Sequence, residues 1–175
     1  MVLDAFAEAS KTIFEDKRYG YIAQTTYKGR KVFLLKPTTY MNLSGNAVRY
    51  WLEKENIPNE HLLVISDDVA LPLGTFRLKA SGNNGGHNGL GHIQQLIGNN
   101  YPRLRMGIGN NYPHGAQADY VLGNFTPDEQ PILQTTIQTA VQVIQSYIFA
   151  GINNTMNQYN QIGKTPPTIC PTPQD

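Results

Sequence analysis

A single cysteine, Cys170, lies in a Pro-rich terminal stretch. That excludes a disulfide framework and a cysteine-based zinc site, and fits a reducing compartment. Charge of one sign is also missing: 14 Lys+Arg stand against 13 Asp+Glu, for a formal net charge of +1. A histone-like or polybasic protein is excluded, while a nucleic-acid partner held by a local basic patch stays open. No apolar run reaches the ~20 residues of a membrane span, so no membrane partner is expected. The start carries no basic region ahead of an apolar stretch, so no signal peptide is read. No internal repeat is visible. These absences predict a cytoplasmic protein with one domain over 1–162 and a disordered Pro-rich tail over 163–175.

Within that frame the chain alternates strands and helices. Residues 1–9 place Val2 or Leu3, Phe6 and Ala9 on one helical face, without a capping residue ahead of them. Residues 19–26 and 31–35 predict a hairpin turning at Lys28-Gly29. Ser44 or Asn46 is expected to cap a helix reaching Asn56, with Val48, Trp51 and Leu52 inward. The apolar run 61–65 predicts a strand buried on both faces, as in a parallel sheet, with Asp67 and Asp68 at its carboxyl end. Strands follow over 75–79 and 103–109, each with basic residues two apart, and 119–122 reads as a strand end or turn. Thr126-Pro127-Asp128-Glu129 opens a long helix stopped by Gly151, and 153–160 adds a short one. The pattern defines an α/β fold: one three-layer domain, with a twisted mixed sheet flanked by helices.

The chemistry concentrates around Ser81-Gly82-Asn83-Asn84-Gly85-Gly86-His87-Asn88-Gly89-Leu90. Glycines let a backbone turn tightly and let a ligand approach the main chain. A helix entered from such a turn presents free N–H groups. His87 adds an imidazole, a ring able to give or take a proton; His61, His92 and His114 read as surface or capping residues. Met41-Asn42 forms a second asparagine-bearing helix entrance, and Asn42 and Asn88 each offer amide donors and an acceptor suited to a carbonyl. Asp67 and Asp68 are adjacent, so in an extended chain they point to opposite faces. Two acids and one histidine without ligand spacing do not define a metal site. Neither a Walker loop nor a complete dinucleotide fingerprint occurs. Arg77, Lys79, Arg103 and Arg105 fall on strands flanking the glycine-rich loop, a candidate basic face for phosphate.

Four motifs stand in one order. They are Lys36-Pro37-Thr38-Thr39-Tyr40-Met41-Asn42-Leu43-Ser44-Gly45, Asp67-Asp68 ahead of Leu71-Pro72-Leu73-Gly74, Gly85-Gly86-His87-Asn88-Gly89-Leu90, and Arg103-Leu104-Arg105-Met106-Gly107-Ile108-Gly109. In order and spacing they resemble bacterial peptidyl-tRNA hydrolase over residues 1–160. The resemblance implies hydrolysis of the ester joining a nascent peptide to the terminal ribose of tRNA, by a monomer that needs no metal or cofactor. Asp67 then corresponds to a carboxylate that orients an imidazole base. Met41 and Asn42 line the peptide site, His87 and Asn88 contact substrate or fix the attacking water, and Lys79 and Arg105 clamp a tRNA phosphate. In the family the base histidine and a further asparagine lie in an N-terminal segment ending in Arg-His-Asn. This chain starts inside the helix after it. The resemblance therefore implies an N-terminally truncated domain, exposed strand edges, an Asp67 without its partner, and little or no activity until the segment is restored. The alternatives are an inactive relative that binds tRNA or other RNA, and a shortened site in which His87 is the base.

Overall fold

The computed structural model describes residues 1–169. Helix α1 (Val2–Ala9) leads into an antiparallel sheet of β1 (Glu15–Lys17), β2 (Gly20–Tyr27) and β3 (Arg30–Pro37). Lys28 and Gly29 form the β2–β3 turn, both with positive φ (47° and 80°), the geometry whose twist matches a two-residue hairpin. A 3₁₀ turn (Met41–Leu43) and α2 (Ser44–Lys54) follow. The second sheet holds β4 (Val64–Asp68), β5 (Phe76–Lys79) and β6 (Arg103–Gly107) in the order β4-β6-β5. It is mixed: β4 runs parallel to β6, and β5 antiparallel to it. Between β5 and β6 lies α3 (Asn88–Ile97); α4 (Gln117–Leu122) and α5 (Gln130–Tyr159) complete the chain.

Three apolar clusters define the layers. Phe6 of α1 packs with Ala23 and Leu34 of the first sheet and Val141 and Ile144 of α5. Phe76, Leu78 and Leu104 of the second sheet pack on Ala140 and Val143 of the same helix. On the opposite side Val48 and Leu52 of α2 meet Leu90 and Ile93 of α3 and Tyr101. The pattern 133, 137, 141, 144 turns one stripe of α5 inward as its spacing predicts. Gly151, at φ 81° and ψ 175°, breaks that helix, so the expected stop and following short helix appear as one element with a kink.

Strands β3 and β4 are the inner edges of the two sheets, and neither pairs with the other. Both line one cavity of about 1320 Å³, with Leu133, Ile137 and Ile144 of α5 along it and Asp67 and His87 among its walls.

Several elements differ from expectation. Strand β1 consists of three exposed charged residues, so no apolar alternation announces it; pairing with β2 makes it. Strand β4 starts three residues later than expected, because 59–61 form a 3₁₀ turn, and it carries both aspartates. Residues 117–122 are helical rather than a strand end. Ser44 does not cap α2 from outside: it is the first helical residue, and its hydroxyl donates to Met41 O at 2.7 Å. Of the tail expected from residue 163, residues 170–175 lie outside the described residues. Gly163 is buried in a 3₁₀ turn (Ile162–Lys164), so close to Phe76 that a Cβ would come 2.5 Å from its carbonyl oxygen.

Candidate functional site

His87 is the N-cap of α3. Its backbone is extended (φ −78°, ψ 114°), and its Nδ1 accepts the Leu90 N–H at 3.2 Å. Helices leave their first N–H groups without internal partners, and a cap supplies an acceptor. Here an imidazole does so, and the task fixes its tautomer: with Nδ1 accepting, the neutral ring carries its proton on Nε2. Nε2 stands 3.2 Å from Asp67 Oδ1 and donates to it. His87 therefore supplies an imidazole to Asp67 in this structure. The hydrogen bond from His87 holds the Asp67 carboxyl below its ordinary pKa, against the upward push of burial.

The loop ahead of the cap is built from backbone geometry. Gly85 and Gly86 take φ of 61° and 80°, the left-handed region open to glycine. Asn84 Oδ1 accepts the Gly86 N–H at 2.8 Å, and Asn84 O accepts the His87 N–H at 3.1 Å. A Cβ on Gly85 would fall 2.2 Å from Arg105 Nη2, so the loop rests directly on that guanidinium. Gly89, in the first turn of α3, admits two neighbours. A Cβ there would lie 2.5 Å from Met41 Sδ and 3.0 Å from His87 Cε1. Met41 and His87 thus meet over a bare stretch of helix. Met41 stays 55% exposed, an apolar group at the mouth of the cavity.

The alternation of β4 separates the aspartates as extended geometry requires. Asp68 turns away from His87: its Oδ1 accepts the Ala70 N–H at 2.9 Å, and Oδ2 lies 3.1 Å from Arg105 Nε. It is 8% exposed and serves the turn after the strand. Register puts the four cations on one face of the second sheet, since Arg77 is opposite Arg105 and Lys79 opposite Arg103. Their environments differ sharply. Arg77 and Lys79 are exposed, Arg105 is paired with Asp68, and Arg103 is buried.

The structure therefore brings Met41, Asp67 and His87 together. Asn42 and Asn88 are exposed at the two helix entrances beside them. Lys79 and Arg105 share the basic face. His92 is a capping residue, its Nδ1 accepting the Gly45 N–H at 3.0 Å. Sequence reasoning missed Gly89, whose lack of a side chain joins two motifs, and the Arg105–Asp68 pair, which spacing alone does not signal. Among the described residues no three His, Cys, Asp or Glu side chains cluster as metal ligands. No described helix is long and apolar enough to cross a membrane.

Fold and site define an α/β protein with a carboxylate–imidazole pair at the mouth of an apolar cavity, flanked by a basic face. The family model described as peptidyl-tRNA hydrolase matches residues 1–167. Peptidyl-tRNA hydrolase from Phocaeicola vulgatus is 55% identical over 161 residues, covering 91% of this chain and 86% of the relative. That of Porphyromonas gingivalis is 51% identical over 160 residues, again covering 91% and 86%. The crystal structure of peptidyl-tRNA hydrolase from Acinetobacter baumannii superposes with a TM-score of 0.85 at 31% identity, covering 91% of this chain and 82% of that one. The chain belongs to the peptidyl-tRNA hydrolase family.

Proposed function

We propose that the protein hydrolyses the ester of peptidyl-tRNA. Water adds its hydroxyl to the acyl carbon, the bond to the ribose oxygen breaks, and that oxygen takes the proton, leaving a peptide acid and free tRNA. The observation that carries the reading is the Asp67–His87 pair at 3.2 Å, with Met41 beside it over Gly89, in a chain of this family. Ester hydrolysis needs a held water, a proton acceptor and donors on the developing oxyanion, and no metal.

Asp67 is the fixed anion of the site, and His87 is the imidazole held on it. Asn42 and Asn88 supply amide donors to the peptide, and Met41 supplies an apolar contact. Lys79 and Arg105 take the tRNA phosphate, where backbone contacts position without reading sequence. The geometry limits His87 as a base. Nε2 donates to Asp67, and Nδ1, the one nitrogen with a lone pair, is engaged by Leu90 N–H. Proton transfer from water to Nδ1 requires that cap to open, so residues 1–175 should turn over slowly. The protein acts as a single chain without cofactor. The test is release of peptide from peptidyl-tRNA by wild type and by Asp67→Ala/His87→Ala. Release above buffer in wild type and none in the double variant supports the reading; release at the buffer rate in both rejects it.

A further inference from the structure

We propose that Arg103 is a positioning residue for the Asp67–His87 pair, clasping the base of the loop-and-helix segment that carries His87. Only its turnover arm rests on the hydrolase reading above.

Arg103 opens β6 and is 1% exposed, among the largest fully buried side chains of the described residues. No carboxylate pairs with it among those residues. A buried charge without a counter-charge is costly, and an apolar residue would fill the position at less cost. What the guanidinium gains is a set of directed bonds. Nη1 donates to Asn83 O at 3.3 Å and Nη2 to Asn99 O at 2.9 Å. Its Cζ lies 4.2 Å from the centroid of the Tyr101 ring, which is itself fully buried.

The two carbonyls are the ends of one segment. Asn83 precedes His87 by four residues, and Asn99 follows α3 by two. The Asn99 carbonyl also accepts the Gly82 N–H at 3.4 Å, so the chain closes on itself at the point Arg103 grips. From there a short relay runs to the pair: Asn84 O takes the His87 N–H, and His87 caps α3, the rigid body of the loop. Asp67 sits outside this segment, on β4, the parallel neighbour of β6. The clasp therefore sets where a mobile-by-composition, glycine-rich loop presents its imidazole to a carboxylate on a fixed strand. The His87–Asp67 distance of 3.2 Å leaves little room before the bond weakens.

Two variants test it: Arg103→Met, which keeps the apolar stem and removes every donor, and Arg103→Lys, which keeps the charge and loses the fork. The first readout is the ring nitrogen spectrum of ¹⁵N-histidine-labelled protein, with the His87 signals assigned by their loss in His87→Ala. Wild type should show a fixed tautomer with the proton on Nε2. Arg103→Met should show averaged tautomers, and exchange of the 82–99 amides about tenfold faster. Where hydrolysis is measured, kcat should fall by up to about 100-fold, the scale of small misplacements, with KM changed less than about threefold. Arg103→Lys should fall between. A folded Arg103→Met with the wild-type His87 spectrum overturns the inference, whatever its activity. If Arg103→Met does not fold, Arg103→Lys decides by the same spectrum. A wild type without hydrolysis would end the functional reading and leave the spectrum to judge the clasp.

Discussion

The imidazole of His87 is bound at both nitrogens, Nδ1 by the Leu90 amide of its own helix and Nε2 by Asp67 of a separate strand. One group thus joins a helix terminus to the carboxyl end of β4. The consequence for stability follows from Asp67, whose folded pKa is lowered chiefly by this bond. A lowered carboxylate stabilises the fold above its unfolded pKa, near ~3.9, and loses that contribution as pH falls through the folded value. Wild type should therefore exceed Asp67→Asn in urea midpoint at pH 7, and the gap should close toward pH 3. A gap that is constant or widens in acid contradicts the pairing.

Lys79 and Arg105 lie on one face, yet replacing them should have unequal effects. Lys79 is exposed, so Lys79→Ala should leave stability within about 0.5 kcal/mol. It should reduce the salt slope of tRNA binding by roughly 0.7–0.9. Arg105→Ala strips the partner from Asp68, which is 8% exposed, and should cost about 3 kcal/mol. Thermal unfolding and tRNA titration at several salt concentrations separate the two. Equal stability losses would place Asp68 in a different balance.

Gly89→Ala sets two effects against each other. Alanine gains about 1 kcal/mol of helix propensity. Its Cβ must push aside Met41 Sδ, at 2.5 Å, and crowd His87 Cε1, at 3.0 Å. The end of an exposed methionine moves at low cost, so stability should change by less than about 1 kcal/mol. Peptide release should fall at least about tenfold because the contact over the helix is lost. Melting and single-turnover hydrolysis measure the two sides; full activity would remove Met41 from the site.

A form of the protein carrying an added N-terminal segment with Arg-His-Asn tests where the base is. Faster release than from residues 1–175 would show that Asp67 serves a second imidazole. Equal rates would make His87 the base, through opening of the Leu90 cap.

Much of this arrangement was legible in the sequence where local chemistry dictates structure. The Lys28-Gly29 turn, the inward stripe of α5, and the opposed faces of Asp67 and Asp68 follow from periodicity and turn geometry; the strand bearing Asp67, expected to be buried on both faces, is instead a half-buried sheet edge lining the cavity. Strand β1 was not legible, because Glu15, Asp16 and Lys17 have no buried face and exist as a strand only through β2. Nor were the fates of the basic residues. Arg77, Lys79, Arg103 and Arg105 share a face by alternation, but Arg103 is buried against the carbonyls of Asn83 and Asn99 and the Tyr101 ring while Lys79 stays exposed, contacts that spacing does not signal. The role of His87 was not legible either: a local bond to the Leu90 N–H makes it a cap, and only the long-range approach of β4 sets its other nitrogen on Asp67.

The central claim is that Asp67 is the charge around which peptidyl-tRNA hydrolysis is organised. Single-turnover release of peptide from peptidyl-tRNA by wild type and Asp67→Asn, at pH 7 and equal folded concentration, tests it most directly. The account predicts release above buffer for wild type and a loss of at least about 100-fold for the isosteric variant. Equal rates for the two proteins would contradict it.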